Sequence, residues 1–93
     1  MAPGSKSHLE FYDAEIKQWF PVKKPYTDRD SRVHKSKGAA RIAVALFLSA
    51  ETTGTLARIR VTNMRGITTE SEYYEATKSK TVRRRKDLKE IHG

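Results

Sequence analysis

The chain has 93 residues and a mass of 10.6 kDa, with 19 Lys and Arg against 11 Asp and Glu, a formal net charge of +8 and no cysteine. That length bounds it to one small domain, and 37% hydrophobic residues allow only a thin core, since an average globular chain has roughly 45%. Without cysteine there is no disulfide framework, thiolate zinc site or thiol nucleophile.

The charge is unevenly placed. Residues 1–22 and 42–75 each carry a net charge of −1, whereas residues 23–41 and 76–93 each carry +5. Two basic blocks around a near-neutral middle can converge into one positive surface, which an even spread of Lys and Arg does not do. The longest apolar run, Ile42 to Leu48, falls far short of the roughly 20 residues of a membrane-spanning helix. No apolar segment follows Met1–Lys6, so a secretory leader is not expected. A cytoplasmic place, in contact with the nucleoid, is the expectation.

In chain order, residues 1–6 are expected to be disordered, residues 7–91 to form one α+β domain with a basic connector at 21–40, and residues 92–93 to be a tail. Ser7-His8-Leu9-Glu10 has capping-box spacing. Leu9, Tyr12, Ile16 and Trp19 then recur at helical spacing with Phe20 beside them. This pattern predicts an amphipathic helix over 8–20, ended by Pro21, whose Trp and Tyr supply much of the core. The connector holds Pro21, Pro25 and several turn formers, and it is long for a loop in a small domain. Residues 41–49 alternate, with Ile42, Val44, Leu46 and Leu48 on one face of a strand, although the alanines are compatible with a helix. A loop at 51–54 leads to a second alternating run, 55–62, in which Ala57, Ile59 and Val61 oppose Arg58, Arg60 and Thr62. The two runs predict a β-hairpin, and Asn63-Met64-Arg65-Gly66 a further turn. The end has two readings. Thr69-Glu70-Ser71-Glu72 is a second capping-box spacing and favours a helix from about residue 70. Alternatively, Tyr73, Tyr74, Thr77 and Thr81 suit a strand over 73–80, followed by a basic helix over 82–91. The expected fold is therefore α+β: an N-terminal helix on a small antiparallel sheet of two or three strands, with a basic C-terminal helix or extension.

Catalysis is not expected. His8, His34 and His92 have no metal-ligand spacing, and no glycine loop is built to cradle phosphate. Asp13/Glu15 fall apart on a helix, Asp28/Asp30 are interleaved with arginines, and Glu70/Glu72 pair only on a strand. No cofactor or metal is implied.

The cations point to phosphate. In the C-terminal block, Lys78, Lys80, Arg83, Arg84, Arg85, Lys86 and Lys89 form a tract suited to lie along a nucleic-acid backbone, releasing counterions as it binds. In the connector, Lys23, Lys24, Arg29, Arg32, Lys35 and Lys37 interleave with Tyr26 and His34, the mixture used for stacking on unpaired bases. Arg58 and Arg60 share a strand face, with Arg41 expected across from them as an arginine-lined surface. The leading expectation is thus a small, non-enzymatic nucleic-acid-binding protein, either a DNA-binding accessory protein or a ribonucleoprotein subunit in a larger assembly. The alternative is a protein-interaction module or homodimer that binds an acidic partner through a Tyr73/Tyr74 edge or the aromatic helix.

Overall fold

A computed structural model describes residues 4–22, 33–34, 36–79 and 81–88. Its elements are β1 (Lys6–Asp13), β2 (Gln18–Pro21), β3 (Val33–His34), α1 (Lys37–Ser49), β4 (Leu56–Thr62), β5 (Thr68–Ala76) and β6 (Val82–Arg84). All pairings are antiparallel. β2 and β3 lie end to end along one edge of β1, so the sheet is five strands wide, in the order β2-β1-β4-β5-β6. α1 covers one face. No helix among the described residues is long and apolar enough to cross a membrane.

This architecture corrects the expected fold. The segment expected to be an N-terminal helix is the β1–β2 hairpin, with Glu10 opposite Pro21 and Asp13 opposite Gln18. Its residues satisfy two periods at once. Leu9, Tyr12, Ile16 and Trp19 fit a helix, but Ser7, Leu9 and Phe11 also alternate with His8, Glu10 and Tyr12. Turn chemistry favours the second arrangement. Asp13 Oδ1 accepts from the Glu15 amide at 3.0 Å, and Lys17 takes a left-handed φ of 55° that closes the loop.

The one helix among the described residues is α1, in place of the strand expected over 41–49. Ser36 caps it, its Oγ accepting from the Ala39 amide at 3.2 Å. Ala40, Val44 and Leu48 recur every fourth residue and are the positions that α1 buries. A nearly unbroken apolar run fits period two and period 3.6 equally, and its four alanines and the serine cap favour the helix.

β4 forms as expected, with Ala57, Ile59 and Val61 under α1 and Arg58, Arg60 and Thr62 on the opposite face. Its partners are β1 and β5. The turn after it is built on Asn63, whose Oδ1 accepts from the amides of Arg65 and Ile67 at 2.9 and 3.1 Å. Gly66 there adopts φ 78°, which a side chain would oppose. β5 begins at Thr68, so the second capping-box spacing starts no helix. Residues 82–84 are a strand and 85–88 an irregular turn. The proposed C-terminal helix is absent from the described part of that segment.

The core lies between α1 and the sheet. Ala40, Val44 and Leu48 pack on Leu9, Ala57, Ile59, Val61 and Ala76, with Phe11 and Phe47 partly buried at its border. Burial of Ile59 or Leu48 contributes about 1.5–3 kcal/mol each. Tyr73 and Tyr74, expected as an exposed docking edge, are 2% and 8% exposed.

Candidate functional site

Alternation along each strand gives the sheet two chemically different faces. On the α1 side, Glu70, Glu72 and Tyr74 of β5 point toward the helix, as does Arg84 of β6. Glu72 is the hub. Arg41 donates to it from Nε at 3.0 Å and from Nη2 at 2.7 Å. Tyr74 donates its hydroxyl at 2.7 Å, and Arg84 Nη2 lies 3.4 Å away. Lys37 pairs with Glu70 at 3.1 Å and stands 3.9 Å from Glu72. The Arg41 hydrogen bonds hold the Glu72 carboxyl down at about 2, against burial that would raise it. Burial, and then donation to Glu72, pushes the Tyr74 hydroxyl upward.

On the face away from α1, Glu10 plays the corresponding part. Arg58 Nε donates to it at 2.7 Å, and Arg60 donates at 3.2 and 3.3 Å. Burial alone would raise the Glu10 carboxyl; the Arg60 and Arg58 hydrogen bonds outweigh it and hold the group low. The Arg58 guanidinium lies 4.4 Å from the Trp19 ring centre. Trp19 in turn meets Tyr12 at 5.0 Å and Tyr73 at 5.8 Å. Its indole Nε1 is buried without a hydrogen-bond partner.

The edge at β6 is different. Arg83 and Arg85 project to the face away from α1, Arg84 to the helix side. Arg85 is paired with Asp87 at 2.7 Å and Glu75 at 3.4 Å. Arg85 hydrogen bonds hold Asp87 at about 2. Lys78, Arg83 and Lys86 are exposed and form no ion pair with another described residue. Where β6 stops, a shallow notch of about 280 Å³ opens along β5, lined by Ser71, Glu72, Tyr73, Arg84, Arg85, Lys86 and Leu88. Its lining combines the Ser71 and Tyr73 hydroxyls and the Glu72 carboxylate with Arg84 and Arg85, both paired to carboxylates, and the unpaired Lys86.

The structure therefore sorts the sequence-derived cations into three places. Arg58 and Arg60 share a face but are both tied to the one Glu10 carboxylate, so the expected bare arginine surface is a network that Glu10 compensates in part. Arg41 is not across from them; it sits on α1, beyond the sheet, with Lys37 and Arg84. Lys78, Arg83, Arg85 and Lys86 gather at the β6 edge. Lys23, Lys24, Arg29, Arg32, Lys35, Lys80 and Lys89 lie outside the described residues. Sequence reasoning missed Glu10 and Glu72, whose signal was present: each is an acid at an alternating position in a segment otherwise fit for a strand. Among the described residues, no three His, Asp or Glu side chains gather as a metal site requires.

Comparison with protein-family models, with curated proteins and with solved structures finds no match to this chain.

Proposed function

We propose that the chain is a small nucleic-acid-binding protein that holds phosphates along its β6 edge. The observation that supports this is where the charge is left over. Lys37, Arg41, Arg58, Arg60, Arg84 and Arg85 each pair with a carboxylate, whereas Lys78, Arg83 and Lys86 gather on one edge with no ion pair among the described residues; the other exposed cations without one, Lys6, Lys17 and Arg65, are scattered over the start of β1 and two turns. Exposed cations without an ion pair, gathered on one edge, attract a polyanion and release its counterions. In this reading the connector cations Lys23, Lys24, Arg29, Arg32 and Lys35, with Lys80 and Lys89, all outside the described residues, supply further phosphate contacts. On the adjoining face the Tyr12, Trp19 and Tyr73 rings cluster at tilts of 55° and 56°, and the half-buried Tyr12 and Trp19 are the members open to bases or sugars. The reading includes no catalysis, and a cytoplasmic place with the nucleoid accompanies it. It covers a DNA-binding accessory protein and a ribonucleoprotein subunit alike.

The test is a charge reversal, Lys78→Glu with Arg83→Glu and Lys86→Glu, assayed against duplex DNA, single-stranded DNA and structured RNA. All three residues are exposed, so the fold should persist by circular dichroism while affinity falls at least tenfold. Unchanged affinity for every nucleic acid would remove the edge from the binding surface.

A further inference from the structure

α1 has an outward face with no charge on it. Ile42 and Leu46, one helical turn apart, are each 67% exposed, and Gly38, Ala39 and Ala45 lie exposed around them. The two ions of α1 are drawn to the sheet instead, Lys37 to Glu70 and Arg41 to Glu72. A helix at a water-facing surface carries polar residues on its outer side; one that is apolar around most of its circumference is built for burial on both sides. Here the sheet covers one side only, through Ala40, Val44 and Leu48.

We propose that this outer stripe is the contact between two copies of the chain, packed helix against helix about a two-fold axis. Chemistry excludes a charged occupant, because the stripe offers no ion to pair, and the Ser49 hydroxyl at its end is already spent on the Leu46 carbonyl at 2.8 Å. The occupant is therefore itself an apolar surface. Charge placement then favours a second copy. Chains of net charge +8 repel each other unless they meet where free cations are absent. Of the exposed cations that form no ion pair among the described residues, Lys6, Lys17, Arg65, Lys78, Arg83 and Lys86, none lies on α1, whose Lys37 and Arg41 hold carboxylates. The outer face of α1 is thus where two like-charged copies approach at least cost. Its shape is also self-matching. Bulky Ile42 and Leu46 stand in the middle and small Gly38, Ala39 and Ser49 at the ends. An antiparallel pairing sets Ile42 of one copy against Leu46 of the partner subunit and lets the small ends close in. One 13-residue helix per copy makes a contact below the roughly 1,200 Å² of standard interfaces, so association is weak and depends on concentration.

Sedimentation equilibrium of the chain free of nucleic acid, from low micromolar to near-millimolar concentration, tests this. The expected mass rises from 10.6 kDa toward twice that value. Leu46→Lys and, separately, Ile42→Glu should hold the mass at the monomer value throughout, with an unchanged circular dichroism spectrum. A wild-type mass that never leaves the monomer value overturns the proposal. So does a dimer that both substitutions leave intact, because the copies would then meet elsewhere.

Discussion

Arg41 of α1 grips Glu72 of β5 with two hydrogen bonds, 3.0 and 2.7 Å long, and so ties the only helix among the described residues to the sheet beneath it. Glu72 is 4% exposed and also receives Tyr74 and Arg84, so one carboxylate joins α1, β5 and β6.

That junction makes stability depend on pH. The Glu72 carboxyl titrates at about 2 in the folded chain and near 4.3 when unfolded. A group whose folded value is depressed stabilises fully above its unfolded value, and that contribution is lost as pH falls toward the folded one. Melting temperature should therefore drop between about pH 5 and pH 2. Glu72→Gln should cost about 1–3 kcal/mol at pH 7 and flatten the acid limb. Asp87 is held low as well, so part of the slope should survive. Parallel melting curves for the two proteins would show that Glu72 is not the group responsible.

The two faces of the sheet should respond differently to truncation. Ile59 is 0% exposed under α1, and Ile59→Ala should cost about 2–5 kcal/mol. Trp19 lies half-buried on the other face, and Trp19→Ala should cost less, about 1–3 kcal/mol. Urea unfolding gives the order directly. A larger loss at Trp19 would put its ring in the main core.

The contrast between β4 and α1 explains what could be read from the residues. β4 was legible because its faces differ sharply in chemistry: Ala57, Ile59 and Val61 against Arg58, Arg60 and Thr62. α1 was not, because Ile42 to Leu48 is apolar at every position and carries no unique period. The hydrophobic outer face that hid the helix is the same face that exposes Ile42 and Leu46. β1 misled for another reason. Ser7 and Glu10 imitate a capping box, yet Glu10 is spaced for Arg58 and Arg60, a cross-strand relationship invisible without the pairing of β1 and β4. At the site, the basic character of the C-terminal block was plain from composition. Which of its cations are left without a carboxylate depends on strand register, and so emerged only from the fold.

Backbone conformation offers a paired test. Gly66 sits at φ 78°, so Gly66→Ala should destabilise by about 1–2 kcal/mol, although no atom within 4 Å obstructs the added carbon. Gly38 lies in the first turn of α1, and a carbon there meets only Ser36 Oγ at 3.9 Å. Gly38→Ala should stabilise by about 0.5–1 kcal/mol. Opposite shifts in urea midpoint check both; shifts of the same sign would contradict the assigned turn or the assigned helix.

The most direct test of phosphate binding is a salt series. Affinity of the intact chain for duplex DNA, single-stranded DNA and structured RNA should be measured by fluorescence anisotropy across rising monovalent salt. The account predicts binding to at least one of them, with log affinity falling linearly against log salt and a slope of several counterions released. No binding at low salt, or binding indifferent to salt, would contradict it and leave the β6 edge without a polyanionic partner.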